Sequence, residues 1–114
     1  MDAVQPSPYE PFSLAVEPGP TGVTVVPSGE LDMDSTPLMS RQVHDLYGTG
    51  VERVVIDLGR VSFMDSTGLR GLLELREHSM RASCELTLAS ASAPVLRVFA
   101  ITSTRDMFNW DTRG

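Results

Sequence analysis

The chain has 114 residues, of which 41% are hydrophobic and 21% charged, and a net charge of −6. That suffices for one domain with one modest core and is too apolar for a disordered chain. All nine positive charges are arginine and lie scattered through an acidic sequence, which argues against a nucleic-acid surface.

Residues 1–11 hold three prolines and read as a loose lead-in to a domain spanning 12–110, with 111–114 as a tail. No basic region followed by an apolar run marks a secretory signal. No stretch approaches the roughly 18 consecutive apolar residues that a membrane helix needs. A soluble, cytoplasmic monomer with no membrane insertion is therefore expected. In FSLAV, Phe12, Leu14 and Val16 alternate with smaller residues, as in a half-buried strand. EPGPTG is turn material and VTVV a second strand, so residues 12–26 form a hairpin. Pro27 has no N–H for a ladder, so pairing should end or bulge there. GELDMDSTPLMSRQVHDLYGTG reads as a turn and then a helix, with Thr36 as N-cap and Pro37 as the first helical residue. Met39, Val43, Leu46 and Tyr47 share one helical face, and Gly48 and Gly50 stop the helix. VERVVIDL is nearly continuous and β-branched, which suits a central strand covered on both sides.

VSFMDSTGLRGLL runs an apolar strand into an acid, two hydroxyls and a glycine, and then into a helix over about 67–81. Leu69, Leu72, Leu73 and Met80 fall on one face and Arg70, Glu74, Glu77 and Arg81 on the other. Arg76 falls inside the apolar arc and must snorkel or find a partner. CELTLA is a further strand, with Cys84 as a small buried hydrophobe. Cys84 is the only cysteine, so an internal disulfide and Cys-based metal spacings are excluded. SASAPVLRVFAIT is a third helix with a serine cap, Pro94 in its first turn, and Val95, Val98, Phe99 and Thr102 on one side. Met107, Phe108 and Trp110 make a short closing segment that Trp110 anchors. The order β-β-α-β-α-β-α predicts a single α/β domain, a mixed sheet with parallel pairs joined by crossover helices.

The joint at Asp65-Ser66-Thr67-Gly68 fits no familiar catalytic motif. Aspartic proteases place glycine directly after D-T or D-S, and here one residue intervenes. The nucleophile elbow G-x-S-x-G has Met64 in its first position. A triad also needs a histidine, and His78 lies about ten residues into the same helix, roughly 15 Å along its axis. A phosphate-binding loop is excluded because no lysine is present. Asp32 and Asp34 read as acids near a helix start rather than as a cation site.

Two readings of Ser66 remain. D-S-T ahead of a leucine-rich helix is an ordinary N-cap. Alternatively the hydroxyl is offered for phosphorylation. A phosphate adds nearly two negative charges, which the unpaired N–H groups of a helix start tolerate without refolding. Asp65 would repel it and sharpen the change in surface charge. Gly68 serves either close backbone approach or turn relief. Met64 and Leu69 are either exposed partner contacts or core.

VVIDLGRVSFMDSTGLRGLL closely resembles the central signature of bacterial anti-sigma factor antagonists, the STAS-domain family. GELD at residues 29–32 resembles a second motif of the family, and the likeness extends from about Phe12 to Trp110. The resemblance implies a single domain with a small mixed sheet of four to five strands flanked by three to four helices. It implies a non-enzymatic protein without cofactor or metal. Such a protein binds an anti-sigma factor that is also a serine kinase, and so frees the sigma factor. Phosphorylation of Ser66 would inactivate it and a PP2C-type phosphatase would restore it. Asp32, Met64, Asp65, Thr67, Gly68 and Leu69 would form the partner surface, and Asp57 would be structural. Three positions depart from the family pattern: Pro27 before GELD, ITSTRD where a glycine often follows the third helix, and Arg70 where a small residue is common. STAS-like domains also act as signalling scaffolds and as soluble subunits of membrane lipid transporters. The intact D-S-T-G favours the switch.

Overall fold

The computed structural model describes residues 11–111. β1 (Ser13–Pro18) and β2 (Val23–Leu31) form the expected hairpin, antiparallel from Ser13↔Ser28 to Pro18↔Val23. α1 (Thr36–Tyr47) then leads to β3 (Arg53–Asp57), which runs parallel to β2. β4 (Val61–Met64) also pairs with β2 in parallel, and α2 (Ser66–Arg81) follows it directly. β5 (Glu85–Ala89), α3 (Ala93–Thr102), a short 3-10 turn (Arg105–Met107) and β6 (Asn109–Asp111) complete the domain. The main sheet order is β1-β2-β3-β5-β6, with β4 attached to the far half of β2.

The fold class is as read from the sequence, but the sheet has six strands instead of four or five. VSFM counts as a strand of its own, and the closing segment adds another beside β5. The lead-in expected at 1–11 and the tail at 111–114 lie outside the described residues, save Pro11 and Asp111, and Asp111 ends β6.

Successive parallel strands step in one direction along the sheet. Right-handed crossovers then place all three helices on one face. The burial pattern agrees. Val25, Val54, Ile56, Leu86 and Leu88 join the core cluster with Met39, Val43, Leu72, Leu75, Val95 and Phe99. Val26, Val55 and Thr87, which alternate with them, lie outside that cluster. β3 is therefore helix-covered on one side, not on both as its composition suggested. β-Branched residues suit any strand, so composition alone did not tell one covered face from two.

Pro27 does not end β2. It pairs in register with Leu14, while pairing of β2 with β3 stops at Val25 and pairing with β4 begins at Gly29. The missing N–H falls where β2 passes from one partner to the other. In α2 the buried residues are Gly68, Leu69, Gly71, Leu72, Leu75 and Ser79, and Met80 is 62% exposed rather than in the core. Arg76 is half-buried, as a snorkelling side chain would be. In α3, Val95 and Phe99 are buried, but Thr102 is exposed and donates its hydroxyl hydrogen to Val98 O. Ser92 precedes α3 and donates to Val61 O at 2.6 Å, tying the helix start to β4. Ser103 ends α3 in the left-handed conformation (φ 56°), a position that glycine fills most often at helix ends. Phe99 meets Phe108 and Trp110 edge-on, and Trp110 Nε1 donates to Arg105 O at 2.8 Å, so Trp110 does anchor the closing segment. Cys84 is buried, and burial pushes its thiol pKa up.

Candidate functional site

The joint between β4 and α2 is built by Asp65. Its backbone is extended (φ −100°, ψ −171°), and its carboxylate accepts from the Gly68 N–H at 3.0 Å. The acid, not the serine, is the N-cap of α2. Asp65 N donates to Leu31 O at 3.2 Å, which ties the joint to the end of β2. Ser66 is the first helical residue, one position earlier than the expected start, and it is exposed. Among the described residues its hydroxyl has no hydrogen-bond partner. Thr67 beside it is half-exposed.

Gly68 is buried, and a Cβ there would lie 2.7 Å from Met64 Cγ and 2.9 Å from Leu31 O. Close approach, not turn relief, is therefore its reason. That packing corrects two of the expected surface residues. Met64 is 2% exposed and Leu69 is 7% exposed, so both belong to the core beneath the joint and are not presented to a partner. The alternation of a four-residue strand entering a helix is too short to settle such faces from sequence.

The Asp32 loop runs alongside. β2 and β4 pair through Leu31↔Met64, so the residues that follow each strand emerge side by side. Asp32 accepts from the backbone N–H groups of Asp34 (3.0 Å) and Ser35 (3.1 Å). Those two bonds, the Ser35 one foremost, hold its carboxyl below the ordinary carboxylate range. Ser35 rather than Thr36 sits at the N-cap of α1, and Pro37 falls within the first turn. The Ser35 hydroxyl accepts from Asp32 N and donates within the loop to Glu30 O or Asp32 Oδ1, bracing the loop instead of capping the helix. Asp57 accepts from the Gly59 N–H at 2.9 Å, a structural role as expected.

On β4 and the Asp32 loop, two exposed apolar residues escaped the sequence reading. Met33 is 72% exposed in the Asp32 loop, and Phe63 is 48% exposed on β4. Met33 was legible as surface, since it lies between two acids. Phe63 was not, because its outward direction depends on Met64 pointing in.

His78 lies about 18 Å along α2 from Ser66 at 1.5 Å per residue. Its Nδ1 contacts His44 Nε2 of α1 at 2.8 Å, so one ring donates and the other accepts. The two rings hold α1 to α2 and are far from the serine. Among the described residues no helix is long and apolar enough to cross a membrane.

The family model for the STAS domain matches residues 13–113. The chain belongs to the STAS-domain family. The STAS domain is 29% identical over 68 residues to a STAS-domain containing protein of Pseudomonas aeruginosa, covering 60% of this chain and 67% of that one. Among solved structures it is similar to an anti-sigma factor antagonist from Mycobacterium paratuberculosis, with a TM-score of 0.78 and 24% identity over 90% of this chain and 86% of the other. It is also similar to the Bacillus cell fate determinant SpoIIAA in its phosphorylated form, with a TM-score of 0.65 and 21% identity, covering 89% and 93% of the two chains. At these identities the structural likeness establishes the shared fold. In this STAS domain the fold gathers Asp32, Asp65, Ser66 and Thr67 at one end of the β2–β4 pair. Gly68 sits just beneath them.

Proposed function

We propose that this STAS domain is a non-enzymatic anti-sigma factor antagonist switched by phosphorylation of Ser66. Unmodified, it binds an anti-sigma factor that is also a serine kinase, and so frees the sigma factor. Phosphorylated, it binds poorly, and a PP2C-type phosphatase resets it. ATP and magnesium belong to the kinase. The domain works as a cytoplasmic monomer.

One observation carries this reading: Asp65 already caps α2, which leaves the exposed Ser66 hydroxyl unspent. A serine used as a cap would have to leave its backbone N–H before a kinase could reach it. This one need not. A phosphate there adds about −1.5 to −2 charges beside Asp65 and the Asp32 loop while the cap and core stay in place. The contact surface comprises Asp32, Asp65 and Thr67, with Met33 and Phe63 as apolar flanks and Gly68 letting the backbone lie close. The similarity to a protein described as an anti-sigma factor antagonist, and to a cell fate determinant solved in its phosphorylated form, supports the same reading.

The test is intact-mass analysis and site mapping of the protein from its native cells beside a Ser66→Ala version. Phosphate on Ser66 that disappears in the variant is the expected result. A Ser66 that stays unmodified through growth and stress would overturn the proposal.

A further inference from the structure

We infer that a phosphate on Ser66 is held by Arg70, one helical turn along α2. The inference rests on the Ser66 switch. α2 is continuous from Ser66 through Arg81, so Ser66 and Arg70 stand four positions apart on one face. At that spacing the Cβ atoms lie about 5–6 Å apart. Both side chains are exposed. Among the described residues Arg70 has no hydrogen-bond or ion-pair partner, so it loses none by turning toward the phosphate. Its planar fork of N–H donors matches two phosphate oxygens, as a point charge would not.

Competition within the helix favours the phosphate. Glu74 lies four residues beyond Arg70 and is also exposed, yet it does not pair with Arg70. The stronger helical order places the anion N-terminal to the cation, and Ser66–Arg70 has that order whereas Arg70–Glu74 has the reverse. A phosphate would also carry more charge than Glu74. The charged residues on neighbouring segments are Glu30 near the end of β2, Asp32 and Asp34 in the following loop, Arg41 and Asp45 on α1, and Arg60, which precedes β4 and so lies at its far end from the joint. With Asp65 preceding Ser66, acids dominate one side of the joint, and Arg70 is the cation at pairing distance on the other. The phosphate then becomes a fixed part of the α2 surface instead of a dianion swinging in solvent.

The experiment places phosphoserine at position 66 during synthesis, so that no kinase is required. The phosphorus-31 resonance is titrated against pH in the parent, Arg70→Gln, Arg70→Lys and Arg41→Gln proteins, each checked for fold by circular dichroism. Arg70→Gln is expected to raise the midpoint of the second phosphate ionisation by roughly 0.2–0.4 pH unit. Arg70→Lys should recover part of that shift and Arg41→Gln should cause none. Added salt should shrink the gap between parent and Arg70→Gln, because the pair is exposed. Equal midpoints for parent and Arg70→Gln, or a shift produced by Arg41→Gln instead, would overturn the pairing. The two failures are separable: an unphosphorylated Ser66 in cells defeats the switch and leaves this titration gap intact, whereas a missing gap defeats the pairing alone.

Discussion

At the scale of single residues, capping falls to one of two neighbours and leaves the other unspent. Asp65 supplies the cap oxygen and Ser66 keeps its hydroxyl free. The expected consequence is an asymmetry between two alanine variants. Asp65→Ala should cost about 1 kcal/mol of stability, the usual worth of an N-cap, whereas exposed Ser66→Ala should stay within about 0.5 kcal/mol. Urea midpoints of the two proteins measure it, and equal losses would show that the serine shares the cap. Asp32 makes a second prediction. Backbone N–H groups of Ser35 and Asp34 hold its folded-state carboxyl below the ordinary value of 3.8. A depressed carboxyl contributes stability that is present above the unfolded value and lost as pH falls through the folded one. The parent should therefore lose more stability than Asp32→Asn between neutral pH and the region below 3.8, as read from urea melts at each pH. Parallel loss in both proteins would place the acid sensitivity elsewhere. D-S-T was legible in sequence as a helix start. Which member caps was not, because all three residue types can, and only the extended backbone at Asp65 selects one.

Among elements, the α1–α2 contact matters most, since α2 carries Ser66, the proposed phosphorylation site. A Cβ on Gly71 would sit 2.4 Å from the Thr36 Cγ2 methyl. Thr36 is β-branched and 4% exposed, so that methyl has little room to turn away. Gly71→Ala gains up to about 1 kcal/mol in helix propensity. It also forces overpacking worth about 1–3 kcal/mol. Packing should win, leaving a net loss of up to about 2 kcal/mol with a lowered thermal midpoint. A stabilised variant would mean that the helices separate easily. Further along the same seam, His44 meets His78, and the Tyr47 hydroxyl donates to Leu75 O at 2.8 Å. Helical periodicity identified Met39, Val43 and Tyr47 as buried. It missed Leu75 and wrongly buried Met80, since a stripe at i, i+3, i+4 leaves open which edge turns inward.

For the whole molecule, the sheet is covered by helices on one face, and the last strand closes it through Phe99. That ring is fully buried against Phe108 and Trp110. Phe99→Ala should cost about 3–5 kcal/mol. It should also loosen β6 from β5, seen as a red shift in the emission of Trp110, the only tryptophan. Unchanged emission at a lowered stability would show that β6 holds through its backbone pairing with β5 alone. The sequence by itself determined the α/β class, the hairpin, the three helices and the strand-to-helix joint at Asp65–Gly68, because alternation, helical periodicity and turn chemistry are local. Only the tertiary structure decided that Met64 and Leu69 are core, that Phe63 faces out, that Pro27 marks a change of strand partner, and that one face of the sheet lacks helices. Each of these depends on which distant backbone lies alongside, and a residue's own neighbours in sequence do not carry that information.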